Sequence, residues 1–98
     1  MGIDTILKSG KYKLIDVREP IELDMDGSIG EAENIPLGSI EERKEELLSY
    51  DVPLIIFCRS GNRSGKALEY LTKAGLKEGY NGGGWQALKE QIQNINAD

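Results

Sequence analysis

Two short apolar runs place the strongest constraint on how this chain folds. Residues 13–17 read Lys-Leu-Ile-Asp-Val, and residues 54–57 read Leu-Ile-Ile-Phe after a proline. Neither run shows the regular apolar–polar alternation of a strand with one solvent-exposed face. Continuous apolar strands are typical of parallel sheets, which have both faces covered by helices. The runs therefore predict two buried strands of a mainly parallel sheet.

Between and after these runs, apolar residues recur at helical spacing. Ser39 and Glu42 form a capping-box pattern, which predicts a helix from there to about Tyr50. A second helix is predicted to end at Gly75, and a third to begin near Trp85. The three predicted apolar stripes are Ile40, Leu47 and Leu48; Ala67, Leu68, Leu71 and Ala74; and Trp85, Leu88, Ile92 and Ile95. The solvated face of the first helix is predicted to hold Glu41, Glu42, Glu45 and Glu46. Strands alternating with helices predict one α/β domain over residues 1–98.

The charge balance limits the partners of the chain. Its net charge is −5 and its pI is about 4.8, whereas nucleic acids and anionic membranes require a basic surface. We therefore expect neither as a partner. A local group of basic residues, Arg59, Arg63 and Lys66, instead indicates a small anionic ligand.

The counts of cysteine and histidine exclude further classes of site. The chain contains one cysteine and no histidine, so it forms no internal disulfide, which suits a reducing compartment. Residues 1–13 show no signal-peptide pattern, and the longest apolar run is too short to span a bilayer. These features predict a cytoplasmic protein. We expect no metal site, because the ligands for one are missing, and no cofactor.

The second apolar run leads directly into Cys-Arg-Ser-Gly-Asn-Arg-Ser, residues 58–64. Ligands of open α/β sheets bind at the carboxyl ends of strands, and a helix N-terminus adds unpaired amides and positive charge. With Arg59 and Arg63 added, the loop is predicted to hold an anion. The same field is expected to lower the pKa of Cys58, which we place at the mouth of this cradle rather than in the core. A Cys–His pair is excluded, because the chain has no histidine.

These residues resemble the active-site loop of rhodanese-like sulfurtransferases. Residues 14–20, Leu-Ile-Asp-Val-Arg-Glu-Pro, are similar to the first core strand of that family and the turn after it. Residues 27–29 and 32–37 are similar to its middle segment, and residues 80–85 to its late Gly-Gly-x-x-Trp region, with compressed spacing. The matches follow the family's order along nearly the whole chain. The resemblance implies a three-layer domain, with a mainly parallel central sheet and helices on both faces.

The resemblance also implies a reaction. The thiolate of Cys58 would attack the outer sulfur of thiosulfate, sulfite would leave, and the resulting persulfide would pass its sulfur to a thiol or to cyanide. Asp16 and Arg18 would support the loop from the neighbouring strand end, although an ion pair without effect on the rate fits them equally well. The residues that would bind the small anionic donor are Arg59, Ser60, Gly61, Asn62, Arg63 and Ser64.

The chain departs from the family pattern at two positions, and two alternative functions remain. Ser28 stands where the family often has histidine, and Leu23 where it often has an aromatic residue. A phosphatase or arsenate reductase is disfavoured, because related phosphatase loops place five residues between cysteine and arginine, whereas four separate Cys58 from Arg63. The other alternative is a sulfur carrier with little thiosulfate activity, which has sulfur-relay proteins as partners. No apolar stripe demands a second subunit, so we expect a monomer.

Overall fold

The predicted parallel sheet is present and contains four strands within the part of the chain that the structure describes. The computed structural model describes residues 3–97, so Met1, Gly2 and Asp98 of the predicted domain lie outside the described residues. The strands are β1 (Lys13–Asp16), β2 (Glu33–Asn34), β3 (Leu54–Cys58) and β4 (Gly79–Gly84). Their order across the sheet is β2-β1-β3-β4, and all neighbouring pairs are parallel. Both sequence-predicted strands are confirmed, as the two central strands β1 and β3.

Helices cover both faces of this sheet, which confirms the three-layer α/β architecture. The helices are α1 (Asp4–Ser9), α2 (Pro20–Asp26), α3 (Lys44–Leu48), α4 (Asn62–Lys73) and α5 (Trp85–Asn96). One apolar cluster joins α3 and α4 to the sheet through residues such as Leu47, Leu71 and Ile56. A second cluster joins α1 and α5 to the opposite face through residues such as Leu88 and Phe57. Successive residues of β3 alternate between the two clusters, as side chains of a strand must.

The first predicted helix forms later than expected. The chain makes a 3-10 turn over Leu37–Ser39, and α3 begins only at Lys44, so the predicted capping box at Ser39 is wrong. After Pro36 the backbone winds tightly, with the Ser39 amide donating to the Pro36 carbonyl at 2.8 Å. The tighter turn still buries Ile40, as the predicted stripe requires.

The second and third predicted helices are confirmed, with one exception in their apolar stripes. The helix α4 ends just before Gly75, whose φ of +114° suits the predicted stop. Ala74, however, lies beyond the last helical residue and is exposed, so its place in the buried stripe is wrong. The predicted solvated glutamates, Glu41, Glu42, Glu45 and Glu46, are exposed.

The glycine-rich segment 79–84 forms β4, and neighbouring atoms leave no room for a side chain at Gly82 or Gly84. A Cβ atom at Gly82 would lie 2.9 Å from Cγ2 of Ile55, and one at Gly84 would lie 2.6 Å from the carbonyl oxygen of Arg59. The pairing with β3 shifts by one residue after Asn81, and Gly83 there has a φ of +80°. This β-bulge lies where β4 meets the loop after Cys58. Within residues 3–97, no helix is both long and apolar enough to cross a membrane.

Candidate active site

Cys58 ends β3, and the loop that follows returns over its sulfur. Gly61 has a φ of +97°, a left-handed conformation that glycine adopts without steric cost, and α4 begins at the next residue. The amide of Gly61 donates to Sγ of Cys58 at 3.0 Å, and the amide of Ser64 donates to it at 3.4 Å. The hydroxyl oxygen of Ser64 also lies 3.4 Å from Sγ. Donors from the loop and from the first turn of α4 therefore converge on the sulfur.

The expected position of Cys58 at the mouth of the cradle is wrong, because only 1% of its surface is exposed. β3 extends one residue beyond the predicted run, which turns the side chain of Cys58 into the cluster beneath α4. The following residues, Arg59 and Ser60, are exposed. The sulfur thus lies beneath the loop, and the loop forms its cover.

Two opposing effects act on the pKa of the buried thiol. Burial on its own raises the pKa of Cys58, because the charged form loses solvation. The hydroxyl of Ser64, when its hydrogen is directed at the sulfur, and the amides of Ser64, Ser60 and Gly61 outweigh this effect and lower the pKa to about 7. The direction agrees with the expectation of an activated thiol, and the causes are hydrogen bonds from this loop.

Arg63 reaches a partner that the sequence analysis missed. Its Nη1 donates to Oε2 of Glu22 at 2.7 Å and its Nη2 donates to Oε1 at 2.9 Å, a paired geometry that is favourable for arginine and carboxylate. Glu22 also accepts the amide of Glu19 at 2.8 Å, in the first turn of α2. Chiefly because of the hydrogen bonds from Arg63, the pKa of Glu22 is lowered to about 2. The spacing of Glu19 and Glu22 around Pro20 signals a helix start, but it does not reveal the distant arginine.

Asp16 and Arg18 form a buried ion pair beside this loop. Nη2 of Arg18 lies 2.7 Å from Oδ2 of Asp16 and 3.0 Å from the carbonyl oxygen of Gly27, and both side chains are at most 1% exposed. The guanidinium centre also lies 4.8 Å from the ring centre of Trp85. Asp16 pairs with Phe57 across the two central strands, so the pair adjoins the end of β3 as expected. Its supporting role remains a prediction.

Asn81 of β4 connects the loop to the sheet, and the sequence analysis missed it as well. Its Oδ1 accepts the hydroxyl of Ser64 at 2.7 Å and the amide of Gly83 at 2.9 Å. Its Nδ2 donates to the carbonyl oxygen of Gly61 at 3.0 Å. The one signal in the sequence is a lone amide side chain among glycines. Its partners become apparent only when β4 lies beside β3.

The remaining residues predicted for donor binding occupy the outer side of the loop. Arg59, Ser60 and Asn62 are exposed, whereas Ser64 is completely buried beside Cys58. The structure therefore separates an inner set of donors directed at the sulfur from an outer set that faces solvent. The predicted residues 58–64 do come together as one continuous loop and helix start.

Comparisons with known proteins point to one family. The family model of the rhodanese-like domain matches residues 3–91. A Bacillus subtilis protein provisionally named a sulfurtransferase is 42% identical over 83 residues, covering 85% of this chain and 79% of that protein. A Schizosaccharomyces pombe protein provisionally named a mitochondrial thiosulfate sulfurtransferase is 36% identical over 94 residues, covering 83% of this chain and 66% of that protein.

The relatives differ in how much of their own length this chain covers. The chain spans 55% of the length of an uncharacterized Bacillus subtilis relative, with 45% identity over 71 residues, or 72% of this chain. The crystal structure of a rhodanese-related protein from Thermoplasma volcanium is 38% identical with a TM-score of 0.69, and the match covers 86% of this chain and 82% of that one. The predicted resemblance and fold are confirmed. On the family match, the relatives and the shared fold, this chain belongs to the rhodanese-like domain family.

Proposed function

We propose that this chain is a sulfurtransferase that carries a sulfane sulfur as a persulfide on Cys58. The observation that carries the proposal is the convergence of the Gly61 and Ser64 amides on Sγ, at 3.0 and 3.4 Å. Amides in this position favour a negatively charged sulfur, and a thiolate is the nucleophilic form of cysteine. The lowered pKa of Cys58, about 7, makes that form available near neutral pH.

The proposed donor is thiosulfate or a similar small anion. The Cys58 thiolate attacks the outer sulfur of thiosulfate and forms a new S–S bond. The original S–S bond breaks, and sulfite leaves with its electron pair. A thiolate or cyanide acceptor then attacks the terminal sulfur of the persulfide and bonds to it, which returns Cys58 to the thiolate. No net electron donor or oxidant is required in either step.

Sulfur transfer requires that the cover over Cys58 open. Since only 1% of the residue is exposed, a donor reaches Sγ when the exposed segment of Arg59 and Ser60 moves outward. Arg63 lies on the first turn of α4 and is about one-third exposed, so its charge is available to an incoming anion despite its pairing with Glu22. Arg59 then contributes mainly to attraction of the donor, and Arg63 to its placement.

The burial of Cys58 also supports a second candidate function. A sulfur beneath a closed loop suits a carrier that receives its cargo from a partner protein, if docking of that partner opens the loop. This carrier would show little activity with free thiosulfate. The same Cys58 persulfide serves both candidates, and only the source of the sulfur differs. For either candidate we propose a monomer that works in a reducing compartment such as the cytoplasm.

Intact mass measurement separates these candidates. The reduced protein is incubated with thiosulfate, and Cys58→Ser serves as the matched control. One added sulfur in the parent protein and none in Cys58→Ser supports direct donor use. No adduct with thiosulfate but one with a persulfidated cysteine desulfurase supports the carrier. Absence of an adduct under both conditions, or turnover of para-nitrophenyl phosphate instead, would refute sulfur transfer by this chain.

A further inference from the structure

Two backbone groups fix the orientation of the Asn81 side-chain amide. Its Nδ2 lies 3.0 Å from the carbonyl oxygen of Gly61, which can only accept a hydrogen bond. Its Oδ1 lies 2.9 Å from the amide nitrogen of Gly83, which can only donate. The reversed amide would bring two acceptors together at Gly61 and two donors together at Gly83. Oδ1 is therefore the atom that faces Ser64.

This orientation decides where the single hydroxyl hydrogen of Ser64 points. The hydroxyl oxygen lies 2.7 Å from Oδ1 of Asn81, which cannot donate, so Ser64 must donate to Asn81. The same oxygen lies 3.4 Å from Sγ of Cys58 and then directs a lone pair at the sulfur. In this arrangement it can accept a hydrogen from the thiol, but it cannot donate one to the thiolate.

We propose that Asn81 is a positioning residue that competes with Cys58 for the hydroxyl hydrogen of Ser64 and thereby restrains ionisation of the sulfur. To stabilise the thiolate, the hydroxyl must turn from Oδ1 to Sγ, which leaves Oδ1 with only the Gly83 amide as a donor. The proposal rests on the proposed function only in taking Cys58 as the reacting group.

Asn81 has a second effect on the sulfur that acts in the opposite direction. Through Nδ2 it holds the carbonyl of Gly61, the residue whose amide donates to Sγ at 3.0 Å. This contact steadies a donor to the thiolate, whereas the contact with Ser64 removes one. Only the contact with Ser64 depends on the hydroxyl, so the two effects can be separated by substitution of Ser64.

Other charged groups near Cys58 belong to elements that the substitutions leave intact. Arg63 on α4 lies close enough for its charge to interact with that of Cys58, and it is paired with Glu22 of α2 through two hydrogen bonds. The exposed Arg59 lies on the loop, and β1 and the turn after it supply the mutually paired Asp16 and Arg18. Removal of the uncharged Asn81 side chain changes none of these charges.

The test measures the pKa of Cys58 by the ultraviolet absorbance of its thiolate as a function of pH, with Cys58→Ser subtracted. Four proteins are compared: the parent, Asn81→Ala, Ser64→Ala and the double variant. We expect Asn81→Ala to lower the pKa in the parent background, raising the ratio of thiolate to thiol about tenfold, or roughly one pKa unit. In the Ser64→Ala background we expect Asn81→Ala to leave the pKa unchanged or to raise it, because no hydroxyl hydrogen is released.

Equal shifts in the two backgrounds would overturn the proposal, and so would a rise in the pKa on Asn81→Ala in the parent background. Asn94→Ala, at an exposed asparagine of α5, is the matched control and should leave the pKa unchanged. If Asn81→Ala folds poorly, Asn81→Val removes the same hydrogen bonds with a residue that favours strands. The titration needs no sulfur donor. Sulfur transfer can therefore fail while the predicted titration holds, and the reverse result is equally distinguishable.

Discussion

Substitution of Gly84 by alanine should test how tightly β4 supports the loop that covers Cys58. Gly84 has a φ of −84° and a ψ of 142°, which alanine adopts without strain. A Cβ atom there would nevertheless lie 2.6 Å from the carbonyl oxygen of Arg59 and 3.4 Å from its carbonyl carbon. Both are backbone atoms, so rotation of a side chain cannot relieve the clash.

The size of the effect follows from that distance. To restore ordinary contact, the Arg59 oxygen must retreat from 2.6 Å to at least 3.4 Å, a shift of about 0.8 Å. Overpacking of this kind costs about 1–3 kcal/mol, and in a domain of this size each kcal/mol lowers Tm by roughly 4–8 °C. The shift also displaces the Gly61 amide from Sγ, so we expect the pKa of Cys58 to rise above about 7.

The assay combines thermal unfolding, followed by circular dichroism, with thiolate absorbance against pH. Gly38→Ala is the matched control, because Gly38 is exposed, its φ is not positive and no atom would lie within 4 Å of the new Cβ. We expect the control to leave the pKa unchanged and to stabilise the fold by about 0.4–1 kcal/mol. If Gly84→Ala had the same Tm and the same Cys58 pKa as the parent protein, the close approach of β4 to the loop would be refuted.

Four further outcomes follow from the contacts around the site. Asp16→Ala leaves the buried Arg18 without its partner and should lower the free energy of unfolding by about 3–5 kcal/mol; urea denaturation would contradict this if the loss stayed below about 1 kcal/mol. Arg63→Ala should slow sulfur uptake more than Arg59→Ala does, since loss of a donor to developing charge costs on the order of 2.7–4 kcal/mol. Equal, small effects of both substitutions in stopped-flow measurements would refute the role of Arg63 in placing the sulfur donor. Uptake should rise with pH through the Cys58 pKa of about 7 and then level off, and a flat profile would contradict a thiolate nucleophile. The folded pKa of Cys58, about 7, lies below the ordinary value of ~8.5. The parent should therefore gain stability over Cys58→Ser as the pH rises from about 7 to about 8.5, and it should gain none below about pH 7.

The sequence predicts the parts of the fold that are encoded by local pattern. The apolar runs identify β1 and β3, and the helical spacing identifies α4 and α5, because each of these elements is buried along a continuous run or stripe. The segment 79–84 could not be predicted as a strand from propensity, since glycine is unfavourable in strands. Its pairing with β3 is accompanied by a close approach of Ile55 to Gly82 and of Arg59 to Gly84, which only glycine allows.

The site was predictable as a loop but not as a set of contacts. The order of residues 58–64 predicts amides that converge on the thiol, and the structure shows the amides of Gly61 and Ser64 at Sγ. Glu22 is 41 residues from Arg63, and Ser64 is 17 residues from Asn81, so neither pair has a local signature. The depth of Cys58 depended on the extension of β3 by one residue, a change smaller than a pattern of apolar residues can resolve.

The cover over Cys58 also bears on how the thiol survives between reactions. An accessible thiolate is readily oxidised by peroxide to sulfenic acid and then irreversibly to sulfinic acid. Many proteins interrupt this damage with a neighbouring cysteine that forms a disulfide, but these 98 residues contain no second cysteine. A loop that leaves 1% of the residue exposed limits the access of oxidants instead. Variants that hold the loop open should therefore lose activity to peroxide faster, even where they accept sulfur faster.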